Sequence, residues 1–185
     1  MTFAPWIAEI VRIAPLAVAV VAIGAAAPSR VRVAPPAEPG TPLVLHVRVE
    51  DAGTGRPIPG ARLFVYQTDD AGYYRKGEDG REQGPKESRL RATATSDSLG
   101  AVVFDTVVHG SYPGSGIFRH IHYVLSADGY ETRSKEIILD EAPRPTEDQK
   151  QWAARNGDVV AARSKGEGGR SEIRLTLKLR PAQGG

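Results

Sequence analysis

The sequence predicts an all-β protein, a single antiparallel β-sandwich carried behind an N-terminal signal segment. Roughly seven short stretches alternate apolar and polar residues with the period of two that a half-buried strand requires. Clusters of Gly, Pro, Asp and Ser separate these stretches, and a single stretch carries helical signals. Many short strands with frequent turns and at most one helix point to a sandwich.

Taken in order, the first element is the uncharged apolar run Ile13–Ala27, IAPLAVAVVAIGAAA, which follows Arg12 and ends in small residues suited to signal-peptidase cleavage. It is about fifteen residues long, short of the roughly 20 that a spanning helix needs. Residues 1–26 are therefore expected to be a signal peptide or an uncleaved signal anchor, and the protein to be exported to the periplasm or the exterior. Residues 27–41 are rich in proline without apolar periodicity, and are expected to form an extended linker. The folded domain is expected over 42–181.

Within it, LVLHVRVED places Leu43, Leu45, Val47 and Val49 on one face of a strand. After the turn formers of Thr54–Gly60, ARLFVYQTD sets Leu63 and Val65 opposite Arg62, Phe64 and Tyr66. The polar stretch from Asp69 to Ser88 is too long for a tight hairpin, and loops of that length tend to be functional. Strands are expected at Leu90–Thr95 and Ala101–Val107 around the Asp97–Gly100 turn, and at His120–Ala127 and Glu131–Leu139 around Asp128-Gly129. Antiparallel pairing is the simple reading. Pro145–Ala162 is the helix candidate, with Thr146 as N-cap and Glu147 and Asp148 in the first turn. Ser171–Leu179 alternates strictly, with Ile173, Leu175, Leu177 and Leu179 inward.

The chain has 185 residues, 41% hydrophobic and 25% charged, enough for one domain with its own core. A net charge of +2, without a long basic block, gives nucleic-acid binding no support. Membrane contact is expected only through an uncleaved leader. The absence of cysteine excludes disulfides, thiolate metal sites, a cysteine nucleophile and a lipidated cysteine anchor. Any metal must be held by nitrogen and oxygen.

His120-Ile121-His122 places two imidazoles on one face of a predicted strand, a ready metal chelate, although such a pair alone is more often simply solvated. Tyr112 lies in the turn Gly110-Ser111-Tyr112-Pro113-Gly114, and Tyr74 ends the DDAGYY segment beside its competitor Tyr73. Each tyrosine alone reads as an ordinary packing residue. A phenol with a pKa of about 10 ligates poorly as the neutral acid, yet a trivalent cation deprotonates it near neutral pH. Two phenolates with two imidazoles suit a hard ferric ion better than zinc or calcium.

Three blocks carry a resemblance. Gly55 to Tyr74, GRPIPGARLFVYQTDDAGYY, Thr95 to Gly114, TSDSLGAVVFDTVVHGSYPG, and Gly110 to Thr132, GSYPGSGIFRHIHYVLSADGYET, are similar in content and order to the intradiol ring-cleavage dioxygenases of the catechol and protocatechuate 3,4-dioxygenase kind. Tyr66-Gln67 takes the place of that family's Trp-Gln pair. The resemblance implies an Fe(III) cofactor held by Tyr74, Tyr112, His120 and His122, a small aromatic diol as substrate, and O2 as co-substrate. It implies insertion of both oxygen atoms between the hydroxyl-bearing carbons to give a muconate-type dicarboxylate, with no external reductant. Tyr112 would be the displaced ligand and general base. Where the family has an arginine three residues before the first histidine, this chain has Ile117, and Arg119 directly precedes His120. Arg119 is the candidate for stabilising charge on the ring, with Arg89 and Arg91 as alternative pocket arginines. Two other readings stand beside this one. A non-catalytic transthyretin-like or carboxypeptidase-regulatory-like module shares the GxPxPGA and Ala-x-Gly-Tyr signatures, and a degenerate dioxygenase would bind iron without turnover. Oligomeric state is not legible.

Overall fold

Period-two alternation resolves into two five-stranded sheets that share one apolar core. The computed structural model describes residues 28–78 and 81–183, so the expected leader, residues 1–26, lies outside the described residues. The strands are β1 (Ser29–Arg32), β2 (Pro42–Asp51), β3 (Arg62–Gln67), β4 (Arg75–Lys76), β5 (Glu82–Gln83), β6 (Leu90–Thr95), β7 (Ala101–Val107), β8 (His120–Ser126) and β9 (Arg133–Leu139). The helix α1 (Glu147–Asn156) then precedes β10 (Val159–Ala161), β11 (Ser164–Lys165) and β12 (Ser171–Leu179). One sheet has the order β1-β7-β2-β12-β11 and the other β10-β9-β8-β3-β6, while β4 and β5 form a separate two-stranded hairpin.

The expected core faces are those observed. Leu43, Leu45, Val47 and Val49 of β2, Phe104 of β7 and Ile173, Leu177 and Leu179 of β12 are buried against Leu63, Val65, Ile121, Tyr123 and Leu125 of the facing sheet. Leu175 is only partly buried at the edge of that core.

Two expectations about the sheets are corrected. The sheets are mixed rather than antiparallel: β1 pairs β7, β10 pairs β9 and β12 pairs β2 in parallel. Parallel neighbours need a crossover, and α1 supplies one between β9 and β10. The Pro-rich segment 27–41 is also more than a linker, because Ser29–Arg32 adds an edge strand to β7 and buries Val33 and Ala34 in the core. Arg30 fastens that edge through its Nε on Asp105 Oδ2 at 2.7 Å. Proline is tolerated beside an edge strand, which leaves half its backbone groups unpaired in any case.

The helix starts where expected. Thr146 Oγ1 accepts from Gln149 N at 3.3 Å, and Gln149 Oε1 accepts from Thr146 N at 2.8 Å, a reciprocal capping box. It stops at Gly157, which adopts a left-handed φ of +85°. The residues after it, expected to continue the helix, form β10 instead.

This architecture places the histidines. On β8 the odd residues Ile121, Tyr123 and Leu125 fill the core, so His120 and His122 project from the outer face of their sheet. Across the strands, Arg91, Tyr66, His122 and Glu136 stand in one lateral row. Residues 68–89 and 108–119, which leave the ends of β3 and β7, bring Tyr74 and Tyr112 over that face.

Candidate metal centre

The two loops are tied to the sheets and to each other. Gln67, buried at the end of β3, donates through Nε2 to Val107 O at 2.9 Å and accepts at Oε1 from Thr106 Oγ1 at 3.0 Å. Thr68 Oγ1 donates to Gly110 O at 2.9 Å, and Gly110 N donates to Asp69 O at 2.7 Å. Asp69 Oδ1 accepts from Tyr73 N at 2.9 Å, closing the turn that presents Tyr74, whose carbonyl accepts from Arg89 N at 3.1 Å. Glycine is required where the loops meet. A Cβ at Gly72 would lie 1.9 Å from Ser111 O, and one at Gly110 would lie 2.5 Å from Asp70 O.

These ties bring four donor atoms together. Tyr74 Oη lies 2.8 Å from His122 Nε2 and in close contact with Tyr112 Oη. Tyr112 Oη is 3.0 Å from His120 Nε2 and 3.4 Å from His122 Nε2, and the two Nε2 atoms are 3.1 Å apart. Ligands about 2 Å from a shared tetrahedral centre sit about 3.3 Å from one another. The spacing fits a single cation.

Proton counting gives the same answer. His120 Nδ1 donates to Phe118 O at 2.7 Å, which leaves its Nε2 as a bare lone pair. His122 Nδ1 faces Glu136 Oε1 at 3.4 Å, and an accepting carboxylate there favours the Nδ1–H tautomer, which leaves Nε2 bare as well. The close approach of the two Nε2 atoms is then lone pair against lone pair. Two phenol protons can serve only two of the five contacts among the four atoms. A cation would satisfy all of them.

The electrostatics agree. Burial, with His120 alongside, pushes His122 down to about 4, so it is a neutral ligand at ordinary pH. Burial and the hydrogen bond with Tyr112 hold Tyr74 far above the ordinary phenol range. Only a strong positive charge would draw that proton off. His120, His122 and Glu136 also form a group whose potential ligand atoms lie within 4.8 Å of one another.

The expected residues divide clearly. Tyr74, Tyr112, His120 and His122 are brought together, whereas Tyr73 turns away to lie under Lys76 Nζ, 4.2 Å from its ring centroid. Arg119 is not in the group. It precedes His120 and so projects elsewhere, where its Nη1 meets Glu141 Oε1 at 3.2 Å. Arg89 bridges Glu38 and Asp69, and Arg91 Nη1 donates to Lys86 O at 3.1 Å, so both brace the loop. Three residues went unnoticed in the sequence as parts of the site. Tyr66 stacks on His122 with centroids 4.6 Å apart and planes 9° apart, Glu136 faces His122, and His109, close enough to feel the charge of His120 and His122, is buried with both ring nitrogens unpartnered. Strand register was the missing signal for the first two.

Two outcomes follow. Gly110→Ala forces the tyrosine loops apart and should lower retention of a bound metal ion about 10–100-fold against a chelator, with the unfolding transition still cooperative. Unchanged metal content would contradict the loop contact. The second concerns pH. Burial, with His120 and Arg119 nearby, pushes His109 down to about 3. An unfolded histidine titrates near 6.5. Below that pH the unfolded chain binds protons that the folded chain refuses, so metal-free stability should fall from about pH 6.5 until His122 titrates near 4 and His109 near 3. Urea unfolding should show a shallower decline for His109→Leu, and parallel curves would contradict this.

Comparison with known proteins places this site in a family. A family model described as Dioxygenase matches residues 17–177. The chain is 28% identical over 139 residues to catechol 1,2-dioxygenase of Acinetobacter baylyi, covering 66% of this chain and 43% of that protein. It is 31% identical over 110 residues to catechol 1,2-dioxygenase of Candida albicans, covering 51% and 35%. The chain thus spans less than half the length of either relative. Among solved structures, an intradiol ring-cleavage dioxygenase from Tetranychus urticae superposes with a TM-score of 0.65 at 23% identity, covering 83% of this chain and 87% of that one. Catechol 1,2-dioxygenase from Acinetobacter sp. ADP1 superposes with a TM-score of 0.64 at 26% identity, covering 85% and 59%. With four convergent Tyr and His donors on a sandwich of this kind, the chain belongs to the intradiol ring-cleavage dioxygenase family.

Proposed function

We propose that this domain cleaves a small catechol-type diol between its two hydroxyl-bearing carbons, using O2 and one ferric ion held by Tyr74, Tyr112, His120 and His122. The mutual approach of those four donor atoms carries the reading. Ferric iron, when bound, supplies the Lewis acidity that makes a chelated catechol reactive towards dioxygen. Both atoms of O2 enter the dicarboxylate product, so the balance needs no reductant.

The protein's own contribution is positional. A cleft of about 370 Å³, lined by Tyr74, Gln83, Gly84, Pro85 and Tyr112, opens beside the donor group and is of a size to take one aromatic ring. Tyr74 is 3% exposed and braced by the Arg89 backbone contact, which suits a ligand that stays in place. Tyr112 rides on a partly exposed turn bordering the cleft, which suits a ligand that yields to the diol and takes one of its protons. His120 and His122 sit on a paired strand and would keep their positions throughout. Residues 1–26 acting as a leader would put this chemistry outside the cytoplasm.

The test is the purified protein expressed with iron available. It should contain roughly one iron per chain and absorb visibly through tyrosinate-to-iron charge transfer, as phenolate ligation of a ferric ion requires. Tyr112→Phe should shift or lose that band and slow O2 uptake with catechol by about 10²–10⁴-fold. Colourless, iron-free wild-type protein would contradict the reading. Coloured, iron-loaded protein that consumes no O2 with any diol would make it a metal-binding relative without turnover.

A further inference from the structure

His120 and His122 present the same atom to the donor group but are supported differently from behind. The Nδ1 of His120 is satisfied by a neutral backbone carbonyl, Phe118 O, at 2.7 Å. The Nδ1 of His122 meets a carboxylate, Glu136 Oε1, at 3.4 Å. Register makes this contact possible, since Glu136 stands directly opposite His122 on β9. Tyr66 stands opposite on the other side, on β3, and stacks flat against the His122 ring with planes 9° apart. The backbone at Glu136 is itself anchored, its N–H donating to Asp158 Oδ1 at 3.0 Å.

We propose that Glu136 is a positioning residue that sets the tautomer and electron density of His122, making the two imidazoles of the centre unequal. The claim rests on the reading of Tyr74, Tyr112, His120 and His122 as the ligand set. A carboxylate behind a ligating imidazole holds the proton on Nδ1, keeps the Nε2 lone pair free and raises its basicity. A carbonyl fixes the tautomer too, but adds no charge. With Tyr66 restraining the ring plane and Glu136 facing its outer edge, His122 becomes the stronger donor of the pair.

Glu136 also belongs to a group with His120 and His122 whose ligand atoms lie within 4.8 Å, which raises the possibility of direct ligation. Its position argues for the outer role. The carboxylate meets His122 at Nδ1, the ring nitrogen remote from the contacts that Nε2 makes with Tyr74, Tyr112 and His120. A carboxylate there polarises the ring from behind.

Two measurements test this, the first without metal. Nitrogen NMR of the metal-free protein should find His122 as the Nδ1–H tautomer, and Glu136→Leu should let the Nε2–H form appear while His120 stays unchanged. An unaltered His122 tautomer would overturn the proposal, whether or not the protein binds iron. The second compares iron-loaded wild type with Glu136→Gln, which keeps the shape and removes the charge. The variant should keep its tyrosinate absorption, displaced from the wild-type position, and lose iron to a chelator about 10–100-fold more readily. An identical spectrum and retention would mean that Glu136 is only a solvated charge. Complete loss of iron would make it a direct ligand, and either result overturns the outer role. Wild-type protein that takes up no iron would instead sink the ligand assignment itself, a failure distinct from that of the tautomer.

Discussion

Four lone-pair-bearing atoms share the outer face of one sheet, held closer together than their own protons can reconcile. His120 Nδ1 donates to Phe118 O and His122 Nδ1 faces the Glu136 carboxylate, so their Nε2 atoms, 3.1 Å apart, meet as two acceptors. The two tyrosine hydroxyls complete the cluster, Tyr74 Oη against His122 Nε2 at 2.8 Å and Tyr112 Oη against His120 Nε2 at 3.0 Å, and they bring only two protons to five close contacts. The strands and loops hold these four atoms together, and a bound cation would satisfy all of their contacts at once.

The scaffold divides its work between rigid and movable parts. The histidines sit on β8, hydrogen-bonded on both sides by β3 and β9, with Ile121 locked into the core between them. The tyrosines ride on loops, but the loops are fastened by Gln67, Thr68 and Asp69 at their base and by the glycine-to-backbone approach at Gly72 and Gly110. Of the two, Tyr74 is buried and Tyr112 borders the cleft. In the proposed ligand set Tyr112 would be the one to yield, with the other three staying in place. That asymmetry is what a chelating diol, which needs a vacated position and a proton acceptor, would demand of the protein.

How much of this could be read from the sequence depends on the range of the interaction concerned. Alternation is local, so the core faces of β2, β3 and β12 and the shared orientation of His120 and His122 were legible. So was the capped start of α1, because Thr146 and Gln149 lie within one turn of each other. Family resemblance pointed to Tyr74 and Tyr112, whose meeting depends on two distant loops. Partners set by strand register were hidden. Glu136 and Tyr66 flank His122 only after β9 and β3 have paired with β8, and no local pattern announces either. The parallel neighbours were missed for the same reason, and the edge strand β1 was masked by a proline-rich composition that usually marks a linker. Arg119 shows the limit of adjacency. Its place next to His120 in the chain sends it to Glu141, away from the donors.

On the proposed reading, two phenol oxygens and two imidazole nitrogens enclose one ferric ion. Iron K-edge X-ray absorption on the iron-loaded protein reads that shell directly. The expected shell has nitrogen and oxygen ligands near 2 Å together with the outer-shell scattering of two imidazole rings, part of which disappears in His122→Asn. A first shell of oxygen alone, without imidazole scattering, or a spectrum indifferent to both histidines, would contradict it.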